Sequence, residues 1–92
     1  MIKSWANRAT QRFAEEGKSR FTGLDKALAR RRLRLLDEAE RLFDLTGLRS
    51  VGLHRLQGDR GGQLAISAGG PWQITFEFRD GHAWNVEIVD FH

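Results

Sequence analysis

The chain of 92 residues contains no cysteine, which excludes disulfides, thiolate nucleophiles and cysteine-based metal sites. It has no apolar run long enough for a membrane span, and its opening M-I-K-S-W-A-N-R lacks the apolar core of a secretory signal. A cytoplasmic protein that does not enter the membrane is therefore the expectation. His54, His82 and His92 lack helical or turn ligand spacing and the acidic residues are scattered, so no metal site is predicted. Gly17-Lys18 does not form a phosphate-binding loop, because the G-x-x-x-x-G-K pattern is absent and no strand leads in. Internal repeats, low-complexity segments and interdomain linkers are missing as well.

What is present suits one globular domain over residues 1–92. Hydrophobic residues make up 40% of the chain, with six Phe and three Trp, enough for one modest core and too little chain for two. Charge is unevenly spread. Residues 1–50 carry twelve Lys+Arg against seven Asp+Glu, and residues 51–92 carry three against five. A basic first half beside a faintly acidic second half points to a polyanion meeting the first half, or else to solvated Arg-rich helices.

The second half reads as a meander of strands separated by glycine turns. Alternation is strict along Trp72–Phe78: Trp72, Ile74, Phe76 and Phe78 share one face, Gln73, Thr75 and Glu77 the other. One face is thus built for burial and the other for water or a ligand. Gly58–Gly62 and Ala68–Pro71 are turns by composition, and Pro71 sits just ahead of a strand, where its missing N–H does least harm. Asp80-Gly81 is a strong hairpin signal. Trp5, Trp72 and Trp84 are expected to pack in the core or on the sheet.

In the first half, Met1–Trp5 is a short edge strand. Asn7 or Thr10 caps a helix that ends at Gly17, with Ala9, Phe13 and Ala14 facing inward. A second helix spans Leu24 to about Phe43. At about 100° per residue, Leu24, Leu28, Leu35, Leu36, Ala39, Leu42 and Phe43 fall within roughly 120° of arc. Lys26, Arg30, Arg34 and Arg41 lie opposite, and Arg34–Glu38 and Asp37–Arg41 are i,i+4 pairs. Arg32 falls inside the apolar arc, where its stem either snorkels over the core edge or faces a partner surface. Leu48–Leu56 begins the sheet half. The predicted order is β-α-α-β-β-β-β, an α+β arrangement with two N-terminal helices on one face of a small, mainly antiparallel sheet.

The residues M-I-K-S-W at the start, L-H-R-L-Q-G-D-R-G-G-Q-L-A-I at 53–66, W-Q-I-T-F-E-F at 72–78, D-G-H-A at 80–83 and V-E-I-V-D-F-H at the end resemble the HigB family of bacterial toxins. That family is a branch of the RelE-like group. The resemblance spans the whole chain. It implies a RelE-like fold and an endonuclease that enters the ribosomal A site and cuts mRNA there, without a cofactor. It also implies neutralisation by a small helix-turn-helix antitoxin, HigA. In such chemistry the 2′-hydroxyl attacks the adjacent phosphorus while the enzyme removes one proton, donates another and offsets phosphate charge. Histidine suits the proton transfers and arginine the phosphate.

Carried over by position, the resemblance makes His54, Asp90 and His92 the catalytic candidates. Arg60 matches as well and becomes an RNA contact. Gln57, Gln73 and Phe91 stand at family positions expected to contact RNA, and Arg55 is a further candidate contact read from this chain. The basic stripe of Lys26, Arg30, Arg34 and Arg41 is either a docking face for ribosomal RNA or the antitoxin or the solvated back of a helix. Read from the residues alone, His54 is a polar-face histidine, His92 a chain end and Asp59-Arg60 a turn-stabilising pair. Several positions depart from the family. Gln57 stands where a lysine is usual, Gln73 where an arginine is usual, and Phe91 where a tyrosine is. Ser67-Ala68-Gly69-Gly70 lacks a common basic residue, and Glu77 stands where a basic residue is common. Each change removes a cation or a donor. The alternative implied is a homologue of weakened activity that binds antitoxin or ribosome, unless Arg55, Arg60, Arg79 or His82 compensate.

Overall fold

The structure, a computed structural model, describes residues 1–47 and 49–91. Helix α1 spans Arg8–Glu16. Of the two predicted caps it is Asn7 that starts it, by accepting the N–H of Thr10 at 2.9 Å. Gly17 ends it at φ 74°, the left-handed conformation that glycine takes without a Cβ penalty. The inward face differs from the expected one. Phe13 is buried as predicted, but Ala14 is exposed and Thr10 takes the second inner position. Thr10 is inside because its hydroxyl accepts the backbone N–H of Ile88, a bond alanine cannot make.

Helix α2 spans Lys26–Glu38, capped by Asp25. It is shorter than the apolar pattern predicts. Ala39 leaves the helix in an extended conformation, and a separate 3₁₀ turn follows at Leu42–Leu45. Three consequences correct the sequence reading. Phe43, placed in the core by helical periodicity, is 73% exposed, and Leu45 is buried instead. The Asp37–Arg41 pair does not form, because Arg41 caps the 3₁₀ turn and pairs with Asp44 at 3.7 Å while Asp37 accepts the N–H of Ile2. Leu48–Leu56 begins the sheet half as expected, but only its end is strand, at His54–Arg55: Leu48 lies outside the described residues, and Arg49–Val51 is a 3₁₀ turn. Arg32 does snorkel. Its guanidinium reaches the carbonyls of Ser67 and Ser50, at 3.0 and 3.2 Å.

Four antiparallel strands follow in sequential order: β1 (His54–Arg55), β2 (Leu64–Ser67), β3 (Trp72–Arg79) and β4 (His82–Asp90). With both helices on one face this is the α+β, RelE-like arrangement. Phe13, Leu33 and Leu36 from the helices join Leu64, Ile66, Ile74, Phe76 and Ile88 from the sheet in one core. Phe21 links the layers by edge-to-face contacts with Phe13 and Trp72, at centroid distances of 6.4 and 5.6 Å. Asp80 and Gly81 both have positive φ (53° and 78°), the type I′ geometry whose twist matches a right-twisted hairpin.

The predicted first strand shrinks to two parallel bridges, Ile2 to Ala83 and Trp5 to Val86. Together with Ser4, whose hydroxyl takes the N–H of Asn85, and Thr10, this segment occupies the outer edge of β4. A bulge interrupts β3–β4 pairing between Thr75 and Glu77, with Asn85 at φ 54°. It re-phases β4. Trp84 pairs with Glu77, whereas Glu87, rather than Val86, stands opposite Thr75. Among the described residues no helix is long and apolar enough to cross a membrane.

Candidate active site

Opposite the helices, the sheet carries a second, more polar face. Cross-strand register sets a row on it: His54 beside Ala65, Ala65 beside Thr75, and Thr75 beside Glu87. Residues so paired share a face. Ser67, Gln73 and Val89 form the next row. The 3₁₀ turn Gly58–Arg60 then brings Arg60 over this face. Arg60 Nη1 donates towards Gln63 Oε1 at 3.2 Å and towards Thr75 Oγ1 and Glu87 Oε1 at 3.5 Å, and the guanidinium lies 5.9 Å from the Phe91 ring centroid. Arg60 is therefore not tied to Asp59 in a turn, as the sequence reading has it. It reaches across two strands.

His54 is exposed at the short edge strand. Its Nδ1 lies 2.9 Å from the carbonyl oxygen of Gly52. A carbonyl only accepts, so Nδ1 carries the proton and Nε2 is the nitrogen left for a ligand. In the neutral ring that Nε2 holds a lone pair, the state of a general base. Gly52 presents its carbonyl from a left-handed backbone (φ 62°) directly after the Arg49–Val51 turn, so the histidine's orientation is built locally.

The other predicted residues are less closely gathered. Gln57 is exposed and precedes the Gly58–Arg60 turn. Gln73 is half-buried, and its Oε1 is buried without a partner among the described residues. Arg55 is exposed on β1, in register with Leu64, and so one residue out of phase with the His54 row. Asp90 ends β4 opposite Trp72. Phe91 donates its N–H to Pro71 O at 2.8 Å, and its ring lies against the Arg60 guanidinium. His92 lies outside the described residues.

Arg79 and His82 flank the hairpin turn. Arg79 pairs with Glu77 at 3.0 Å and stacks over Trp84 at 4.8 Å. The four-residue basic stripe is divided. Lys26, Arg30 and Arg34 are exposed on α2, and Arg30 and Arg34 flank a groove of about 440 Å³ with Ile2, Trp5 and Leu33. Arg41 belongs to the next turn, stacked on Phe43 at 5.9 Å.

Sequence reading missed Gln63, Thr75, Glu87 and Asn7, which together hold the centre of this face. Thr75 was visible as a polar-face residue, but its burial and its arginine partner were not.

An antiparallel sheet with one helix-covered face and one open face bearing histidine and arginine defines an α+β protein of the RelE-like kind. No family model matches the chain. The endoribonuclease HigB of Proteus vulgaris is 32% identical to it over 93 aligned positions, covering the whole of both chains. The chain belongs to the HigB family of toxins.

Proposed function

We propose that this protein is the toxin of a toxin–antitoxin module and acts as an endoribonuclease on mRNA in the ribosomal A site. One observation carries the reading: His54 and the Arg60 guanidinium share the open face. His54 stands two strand spacings, roughly 10 Å, from Thr75, which Arg60 contacts. RNA lying along that face meets a base at one side and a phosphate-binding cation near its middle. The relative, an endoribonuclease HigB, supports the endoribonuclease part of this reading.

In this reading His54 Nε2 takes the proton of the attacking 2′-hydroxyl, and Arg60 offsets charge that builds on the phosphate oxygens. His92 returns a proton to the leaving oxygen, with Asp90 supporting it. Arg55, Gln57, Gln73 and Phe91 contact the message. The ribosome holds the mRNA in line, which lets a small protein dispense with a deep substrate cleft. A HigA-like helix-turn-helix antitoxin neutralises the toxin in the cytoplasm. Lys26, Arg30 and Arg34 on α2, with Arg41 beyond it, supply cations for ribosomal RNA or for an acidic antitoxin surface.

A second reading is favoured by a specific contact, the pairing of Arg60 with Glu87 at 3.5 Å. With Gln57, Gln73 and Phe91 replacing donors, it describes a weak nuclease that persists as a binding protein. A purified ribosome programmed with a message in the A site separates the two. Cleavage by the wild type, falling roughly 10²–10⁴-fold in His54→Ala, supports the nuclease. Absence of wild-type cleavage, with activity appearing in Gln57→Lys combined with Gln73→Arg, leaves the binding protein.

A further inference from the structure

We propose that Glu87 is an internal competitor for the phosphate site of Arg60, setting how tightly the open face holds RNA. The inference rests on the reading that RNA crosses this face. Among the described residues three acceptors meet Arg60 Nη1, and of these only Glu87 is charged. Glu87 is held from its other side as well. Its Oε2 accepts from Asn7 Nδ2 at 3.3 Å, and Asn7 Oδ1 caps α1 through the N–H of Thr10. The carboxylate is thus fixed between the start of α1 and the arginine, with its side chain 25% exposed.

The distances say which partner wins. A charge-assisted N–H···O bond settles at about 2.7–2.9 Å, and arginine prefers a two-pronged partner. Glu87 offers one oxygen at 3.5 Å. A phosphate offers two oxygens at optimal length and replaces that contact, while Gln63, Thr75 and the Phe91 ring keep the guanidinium on the face. Because Asn7 holds it, Glu87 stays nearby after the exchange. It neutralises the cation before RNA arrives and repels the phosphate afterwards. Both effects weaken binding and flatten its dependence on salt, since a prepaired arginine contributes less to counterion release.

The test uses the full chain and a short 2′-O-methyl RNA, which cannot be cleaved, titrated at several salt concentrations and followed by NMR. Four proteins are compared: wild type, Glu87→Gln, Arg60→Ala and the double variant. Glu87→Gln keeps the side chain's shape and an oxygen for Asn7, so folding is preserved and is checked by melting. The expected result is binding roughly two- to fivefold tighter in Glu87→Gln. Its salt slope becomes steeper by up to about 0.7. In the Arg60→Ala background the same substitution has almost no effect. Equal tightening in both backgrounds would show a general charge effect and overturn the proposal, as would unchanged or weaker binding in Glu87→Gln. If none of the four binds at millimolar RNA, the RNA reading of the open face fails, and the role of Glu87 fails with it.

Discussion

The two faces of the sheet are made from alternate residues of the same strands, yet they are held by different physics. On the covered face, Ile66, Ile74 and Phe76 are fully buried against the helices. Their stabilisation grows with apolar area and needs no particular partner. On the open face, Thr75 is equally buried, but beneath a guanidinium that reaches Gln63 and Glu87 as well. Its environment consists of polar contacts in specific directions. A covered face of this kind stores stability. An open one stores geometry, and it tolerates less change in identity than in volume.

Adjacent residues of β3 give the strongest way to break that comparison. Phe76→Ala removes a fully buried ring and is expected to cost about 3–5 kcal/mol, a large part of the stability of a small domain. Denaturant unfolding measures it. Thr75→Val, one residue away, keeps the volume and removes one acceptor from Arg60. It is expected to cost about 1 kcal/mol or less, while the Arg60 side-chain resonances shift and RNA binding changes. If the two substitutions prove equally destabilising, the open face is core in disguise and the division is wrong.

The smallest expected effect lies off both faces. Asp44 accepts the backbone N–H of Glu40 and of Arg41, and these bonds, with the Arg41 guanidinium beside it, hold its carboxyl below the usual carboxylate range. A carboxyl lowered in the folded state stabilises above its unfolded pKa, and that contribution disappears as pH falls through the folded one. Asp44→Asn should therefore lower the melting temperature at pH 7 only slightly. The gap to wild type should close in acid. A gap that persists unchanged below the carboxylate range would place the effect in packing of the turn rather than in charge.

Much of the covered face was legible beforehand. Alternation along Trp72–Phe78 marked Trp72, Ile74 and Phe76 for burial (Phe78 is only half-buried), Asp80-Gly81 marked the hairpin, and Gly17 marked the end of α1. Periodicity misled where the chain left the helix. Leu42 and Phe43 continue the apolar arc of α2, but Ala39 turns out of the helix and Phe43 ends up in solvent. A repeat of apolar residues shows which face a helix has if the helix continues, and carries no information on where it stops. Arg41 left the predicted basic stripe for the same reason.

The open face shows the limit most clearly. Counting outward from the Asp80-Gly81 turn, where Arg79 pairs with His82, sets Thr75 opposite Val86 if pairing is regular. The bulge at Asn85 adds one residue and sets Thr75 opposite Glu87 instead. That single shift creates the Arg60–Glu87 contact. The sequence by itself determined the fold class, the face to be buried, the turns and the HigB family, because each depends on local pattern or on residue identity along the chain. Only the tertiary structure decided that Arg60 crosses to Thr75 and Glu87 and that Asn7 braces Glu87 from the start of α1. It also decided that His54 presents Nε2. Those facts depend on strand register and on contacts between residues as far as 80 positions apart, which short-range periodicity does not encode.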